Sequence, residues 1–135
     1  MRPNFLYPVK CTEDSFYRMW IEFLAPFHKL TSRERDVAAR IIQQYFKLKE
    51  RCEDPVLLRE LLWSQQSRKD MRDSLGMTQA HFQMVLKALR EAKVLIDGDL
   101  NKAYIPNKGE EPRFLMCVMY DWSSDKKRID GPQQV

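Results

Sequence analysis

Apolar residues recur along most of this chain at helical spacing, and the polar residues between them supply recognisable start and stop signals. A short aromatic stretch at 4–9, interrupted by Pro8, reads as an edge strand or extended arm. Thr12 then opens a helix in which Phe16, Met19, Trp20, Phe23 and Leu24 fall on one face, and Pro26 ends the run. Thr31-Ser32-Arg33-Glu34 has the form of a capping box: the Thr31 hydroxyl accepts a backbone N–H three residues on, and Glu34 reaches back. A long helix is predicted from there to about residue 50, with Val37, Ala38, Ile41, Ile42, Tyr45, Phe46 and Leu48 as its core stripe and Arg33, Arg40, Lys47 and Arg51 on the remainder. Asp54-Pro55, an N-cap followed by a proline suited to the first helical position, introduces a helix over 56–63 with Leu57, Leu58, Leu61 and Leu62 inside.

Ser64-Gln65-Gln66-Ser67 is a polar break, and Ser67 is expected to cap a short helix over 68–75 that Gly76 stops by adopting a left-handed conformation. Thr78 caps the next helix, 79–93, whose core stripe is Phe82, Val85, Leu86, Leu89 and Ala92. Past Lys93 the period shortens, and 94–106 reads as a β-hairpin with a turn-rich tip at 97–101. The fold class is therefore mainly α with a small β-hairpin, α+β. Residues 1–29 form an arm and helix on the core, 30–106 the central domain, 107–122 a loop and an extra strand, and 123–135 a tail.

Two helices joined by a tight glycine turn and followed by a hairpin resemble the winged helix-turn-helix of DNA-binding proteins. The apolar positions that lock such a pair stand five and one before the glycine and one, six and nine after it, and here they are Met71, Leu75, Met77, Phe82 and Val85. Arg72 departs from the pattern, standing where the family usually has a small residue; either its guanidinium snorkels out to a phosphate or the helices sit differently. Leu30-Thr31-Ser32-Arg33-Glu34-Arg35-Asp36-Val37 also looks like the opening helix of the DNA-binding domains of sigma factors and quorum-sensing regulators. Together the resemblances cover residues 30–106.

The resemblance implies that 79–93 is a recognition helix. Gln79, Ala80, Gln83 and Lys87 would then read bases: glutamine pairs with adenine N6/N7, lysine reaches guanine O6/N7, and alanine permits close approach. Ser67, Arg68, Lys69, Arg72, Thr78, His81, Arg90 and Lys102 would hold phosphates, which position the duplex without specifying its sequence. The hairpin carries Asp97 and Asp99 near its tip against Lys102 and Lys108, an acidic balance that suits a structural or protein-facing wing better than one pressed into a minor groove. Lys126-Lys127-Arg128 in the tail reads as a solvated cluster.

Composition narrows the classes further. The 135 residues are 44% hydrophobic and 31% charged, an ordinary globular mix with room for one domain. No apolar stretch is long enough for a membrane span, and the N-terminus has no signal-peptide pattern, so a cytoplasmic setting is expected, nucleoid-associated if DNA is bound. Cys11, Cys52 and Cys117 are widely separated and His28 and His81 complete no ligand motif; no metal or cofactor is implied. The net charge of +4 makes nucleic acid plausible, and the densest positive stretch, 67–93, holds six basic and three acidic side chains. Neither a nucleophile with its base nor a phosphate-binding glycine loop is legible, so the chain is expected not to be an enzyme. The expected partner is duplex DNA, bound by a transcriptional or replication-linked regulator that is a candidate homodimer. The alternative is a non-catalytic protein-interaction or assembly module, such as a small phage structural or adaptor protein, with a virion location and the surplus apolar surface of 16–24 and 114–120 as its docking material.

Overall fold

Helix starts leave backbone N–H groups without partners, and this chain places a side-chain acceptor at nearly every one. The computed structural model describes residues 10–108. Within them α1 (Glu13–Phe23) is capped by Thr12, α3 (Ser32–Lys49) by Thr31, α4 (Pro55–Leu62) by Asp54, α5 (Gln65–Leu75) by Ser64 and α6 (Gln79–Glu91) by Thr78. The Thr31–Glu34 box closes in both directions, and Thr12 and Ser15 form a second one. A four-residue helix, α2 (Ala25–His28), lies between α1 and α3. The chain continues past α6 into β1 (Leu95–Ile96) and β2 (Asp99–Leu100), a two-stranded antiparallel sheet, and then a single 3-10 turn at Lys102–Tyr104. The described residues are thus mostly helical with one small sheet.

Helix α3 runs through the middle of the core. Val37, Ala38, Ala39, Ile41, Ile42, Gln43 and Gln44 are all buried, a wider strip than an amphipathic stripe, because α1, α4, α5 and α6 all pack on it. Its buried polar groups are satisfied across these interfaces: Gln43 Nε2 donates to Asp14 Oδ1 of α1 (2.9 Å), and Gln44 Nε2 to the Ser67 hydroxyl of α5 (3.1 Å). Arg18 joins Asp36 at 2.7 Å, and Arg35 joins Glu22 at the same distance, tying α1 to the first half of α3.

Several expectations are corrected. The buried residues of α1 are Tyr17 and Ile21, with Phe16, Trp20 and Leu24 half-buried beside them, while Phe23 is exposed. The aromatic side of α1 is broad, and contact with α3 selects the part that is covered. Pro26 does not terminate the helix; the turn comes at Leu24, and Pro26 occupies the first turn of α2, where its missing N–H costs nothing. His28 then fixes the next turn: its Nδ1 accepts from the Leu30 N–H at 2.9 Å, so Nε2 carries the proton shared with the Ile21 carbonyl, also at 2.9 Å. In α4 only Leu58 and Leu62 are buried; Leu57 and Leu61 face outward. Helix α5 starts three residues earlier than expected. Ser64 caps it, and Ser67 is buried in its first turn with its hydroxyl accepting from Gln44.

The hairpin is shorter than 94–106. Asp97 (φ +54°) and Gly98 (φ +75°) both take the positive φ of a two-residue type I′ turn, pairing Leu95 with Leu100 and Ile96 with Asp99. Asn101 then accepts from the Ala103 N–H and bends 102–104 into a 3-10 turn instead of a second strand arm. The expected arm at 4–9, the strand at 114–122 and the tail at 123–135 lie outside the described residues.

Two substitutions test this architecture. Gly76 sits at φ +65° with no atom within 4 Å of where a Cβ would go, so Gly76→Ala meets no clash and should cost only the left-handed backbone penalty, about 1–2 kcal/mol by chemical denaturation. Phe82 is wholly buried, and Phe82→Ala should cost about 3–5 kcal/mol; unchanged melting would mean that α6 is turned the other way.

Candidate nucleic-acid interface

The glycine turn between α5 and α6 is built from backbone groups. With Gly76 left-handed, its N–H donates to the Asp73 carbonyl (3.2 Å) and the Met77 N–H to the Arg72 carbonyl (3.0 Å), satisfying the carbonyls that end α5. Met71, Met77, Phe82 and Val85 are buried in the common core and Leu75 is packed against it, so α3 holds both helices. Arg33 adds a clamp, donating from Nη2 to the Leu75 carbonyl at the end of α5. The Arg72 side chain is half-buried and has no hydrogen-bond or ion-pair partner among the described residues.

Burying Phe82, Val85, Leu86 and Leu89 turns the opposite side of α6 to solvent. Gln79, Ala80, His81, Gln83, Met84, Lys87 and Arg90 are all exposed, Met84 at 71%. The side chains of Gln79, Gln83, Lys87 and Arg90 make no hydrogen bond or ion pair among the described residues, and neither does that of Lys69 on α5. Five arginines of the other helices behave differently, Arg68 and Arg72 of α5 not among them. Arg18 and Arg35 are ion-paired, Arg33 and Arg59 donate to the Leu75 and Asp97 carbonyls, and Arg40 bonds Ser74 at 2.7 Å and Gln44 at 2.8 Å. Burial lowers the pKa of the Arg40 guanidinium, with Asp70 and Asp14 pulling against it.

The remaining candidates are dispersed. Thr78 stands at the N-terminus of α6, its hydroxyl accepting from the His81 N–H at 3.2 Å. Ser67 is buried against α3, which withdraws it from the surface expected of a phosphate contact. Lys102 is exposed on the 3-10 turn beyond the hairpin. Arg68 is half-buried with its guanidinium 5.8 Å from the centre of the Trp63 ring, and its Nε has neither a partner nor solvent contact. Arg68, Gln83 and Arg90, which lie on different turns and helices, line one cleft of about 80 Å³ with Trp63 and Gly98. A larger cleft of about 260 Å³ between α1, α3 and α5 is walled by Arg18, Arg33, Arg40, Asp14 and Asp36, and each of these groups already bonds a neighbour.

Three anchoring residues escaped the sequence. Trp63 Nε1 donates to Asp99 Oδ1 (3.2 Å) and Arg59 to the Asp97 carbonyl, so the acidic hairpin tip is fastened to α4. Lys108, counted with the hairpin, lies instead on α1: its Nζ donates to the Tyr17 hydroxyl at 2.8 Å and stands 5.0 Å from the Phe46 ring centre. Burial, reinforced by the hydrogen bond to Glu13, pushes the Tyr17 phenol well above its ordinary pKa. No sequence signal marks such long-range pairs.

No protein-family model, curated protein or solved structure matches the chain. Among the described residues no helix is long and apolar enough to cross a membrane, and no group of three or more His, Cys, Asp or Glu side chains could hold a metal ion.

The contrast between engaged and free cations is measurable as stability. Arg40→Ala leaves Gln44 and Ser74 short of a charged donor and should cost about 1–3 kcal/mol. Lys87→Ala, with nothing to lose, should stay within about 0.5 kcal/mol of wild type in the same denaturation experiment.

Proposed function

We propose that this protein binds duplex DNA through the outward face of α6, as a non-catalytic transcriptional or replication-linked regulator of winged helix-turn-helix type. The observation that carries the reading is the set of unengaged polar side chains on α6, in contrast to Arg18, Arg33, Arg35, Arg40 and Arg59, which are committed to internal partners. Gln79, Gln83 and Lys87 stand four residues apart on one side, with donors and acceptors suited to major-groove base edges and Ala80 small enough for close approach. Lys69, Arg72 and the α6 N-terminus at Thr78 flank that face with groups suited to backbone phosphates. The order α3, α4, α5, Gly76, α6, hairpin agrees with the reading apart from the added α4. The hairpin, fastened to α4 and acidic at its tip, is a brace in this scheme and leaves α6 as the reading element.

A second reading is a protein-docking module, favoured by the outer side of α4, where Val56, Leu57 and Leu61 are 68%, 45% and 37% exposed. Fluorescence anisotropy of a random duplex at two salt concentrations separates the two. Under the DNA reading, binding weakens steeply with salt and a Gln79/Gln83/Lys87 triple alanine variant loses it. Binding that survives the triple substitution would move the DNA off α6, and no binding at low salt would favour the α4 face.

A further inference from the structure

The cleft between α4, α5, α6 and the hairpin contains a cation in an unusual condition. Arg68 Nε is shut off from solvent yet has no acceptor, whereas a buried donor ordinarily finds one. The guanidinium stands over the Trp63 ring, 5.8 Å from its centre, a cation–π placement that uses none of its N–H donors. Arg90 comes to the same cleft from α6, a little over three turns from the Thr78 cap by helix geometry, and Gln83 adds a carboxamide donor. Among the described residues no carboxylate lines the cleft. Asp99, next to the lining residue Gly98, already accepts from the Trp63 indole at 3.2 Å and from the Leu100 N–H at 2.8 Å.

We propose that this cleft is a phosphate-group site in which Arg68 and Arg90 share one tetrahedral oxyanion, assisted by Gln83. Two guanidiniums supply several N–H donors and two positive charges, which suit an anion with several acceptor oxygens better than a singly charged planar one. The volume of about 80 Å³ is several times the roughly 10–15 Å³ that one water needs on the same measure, room for a phosphate group. The source of the phosphate rests on the proposed function: on a duplex read by α6 it is a backbone phosphate, and otherwise it is free phosphate or a phosphate monoester. Arg68 then acts from its place over the Trp63 ring, and Gln83 becomes a residue shared between phosphate and base edge.

The test titrates the full chain with inorganic phosphate while following the arginine Nε–Hε NMR signals, with chloride and acetate at matched ionic strength as controls. A saturable shift of the Arg68 signal with phosphate, absent with chloride and acetate and weakened at least fivefold by Arg90→Gln, is the expected result. Arg90 is exposed and without internal partners, so that variant keeps the fold; Arg68→Lys serves as the assignment control. No saturable shift, an equal response to acetate, or a shift unchanged in Arg90→Gln, which would mean an adventitious ion only, overturns the proposal. Duplex anisotropy distinguishes the sources. If DNA binds through this site, Arg90→Gln reduces the salt slope of the affinity by about one. Phosphate binding without duplex binding supports the site while removing the DNA reading; duplex binding with an unchanged slope and no phosphate shift overturns the site and leaves that reading standing.

Discussion

The closing of α3 on nearly every side is the constraint from which the other packing choices follow. A helix with seven buried residues out of eight between Val37 and Gln44 cannot hide only apolar side chains, because two of those residues are glutamines and the eighth is Arg40. Each would carry a desolvation cost if left unmatched. The partners that remove this cost are Asp14 on α1 and Ser67 and Ser74 on α5. Apolar contact alone would let α1 and α5 slide along α3 with small loss; these directional bonds fix where along α3 each helix sits. The α5–Gly76–α6 unit is therefore positioned from beneath, by α3, and the exposed side of α6 is left with no structural duty.

Local signals in the chain were legible because they act over three or four residues. Thr31 with Glu34, Asp54 before Pro55, Gly76 and Thr78 each settle a helix end through a backbone bond that any surroundings would favour. The choice between Ser64 and Ser67 was not of this kind. Both can cap a helix, and the outcome turns on Gln44, 23 residues away, which needs the Ser67 hydroxyl inside the core and leaves Ser64 to cap. The face of α1 is similar: Phe16, Met19, Trp20 and Phe23 outline a side as apolar as the one that Tyr17 and Ile21 occupy, and only the position of α3 selects between them. Leu57 and Leu61 were assigned to the core on hydrophobicity, yet α4 is short and has one covered side, which Leu58 and Leu62 fill.

The candidate interface was legible in its main helix and not in its margin. The period of Phe82, Val85, Leu86 and Leu89 sets which residues of α6 look outward, so Gln79, Gln83, Lys87 and Arg90 follow from the sequence alone. What they meet at the edge depends on tertiary contacts. Of the two acidic residues that argue against a groove-binding wing, Asp99 is explained by its carboxylate's bond from Trp63, while Asp97 is held by Arg59 through its backbone carbonyl. That same fastening brings Trp63 and Gly98 to the cleft that Arg68, Gln83 and Arg90 share.

The hairpin and α6 are then mechanically linked through a small set of side chains. Asp99 receives the Trp63 indole N–H, and Trp63 supports the Arg68 guanidinium with its ring face, so the hairpin's position influences where the Arg68 charge sits relative to Arg90. Removing the Asp99 carboxylate would free the indole as well as cancel a negative charge, with opposite consequences: the lost charge favours an anion in the cleft, while the loosened ring lets Arg68 move. A preorganised cation binds more tightly than a mobile one because less side-chain freedom is lost on binding. An acidic residue beside an anion site is therefore consistent with its purpose when, as here, its carboxylate is held by the residue that positions the arginine.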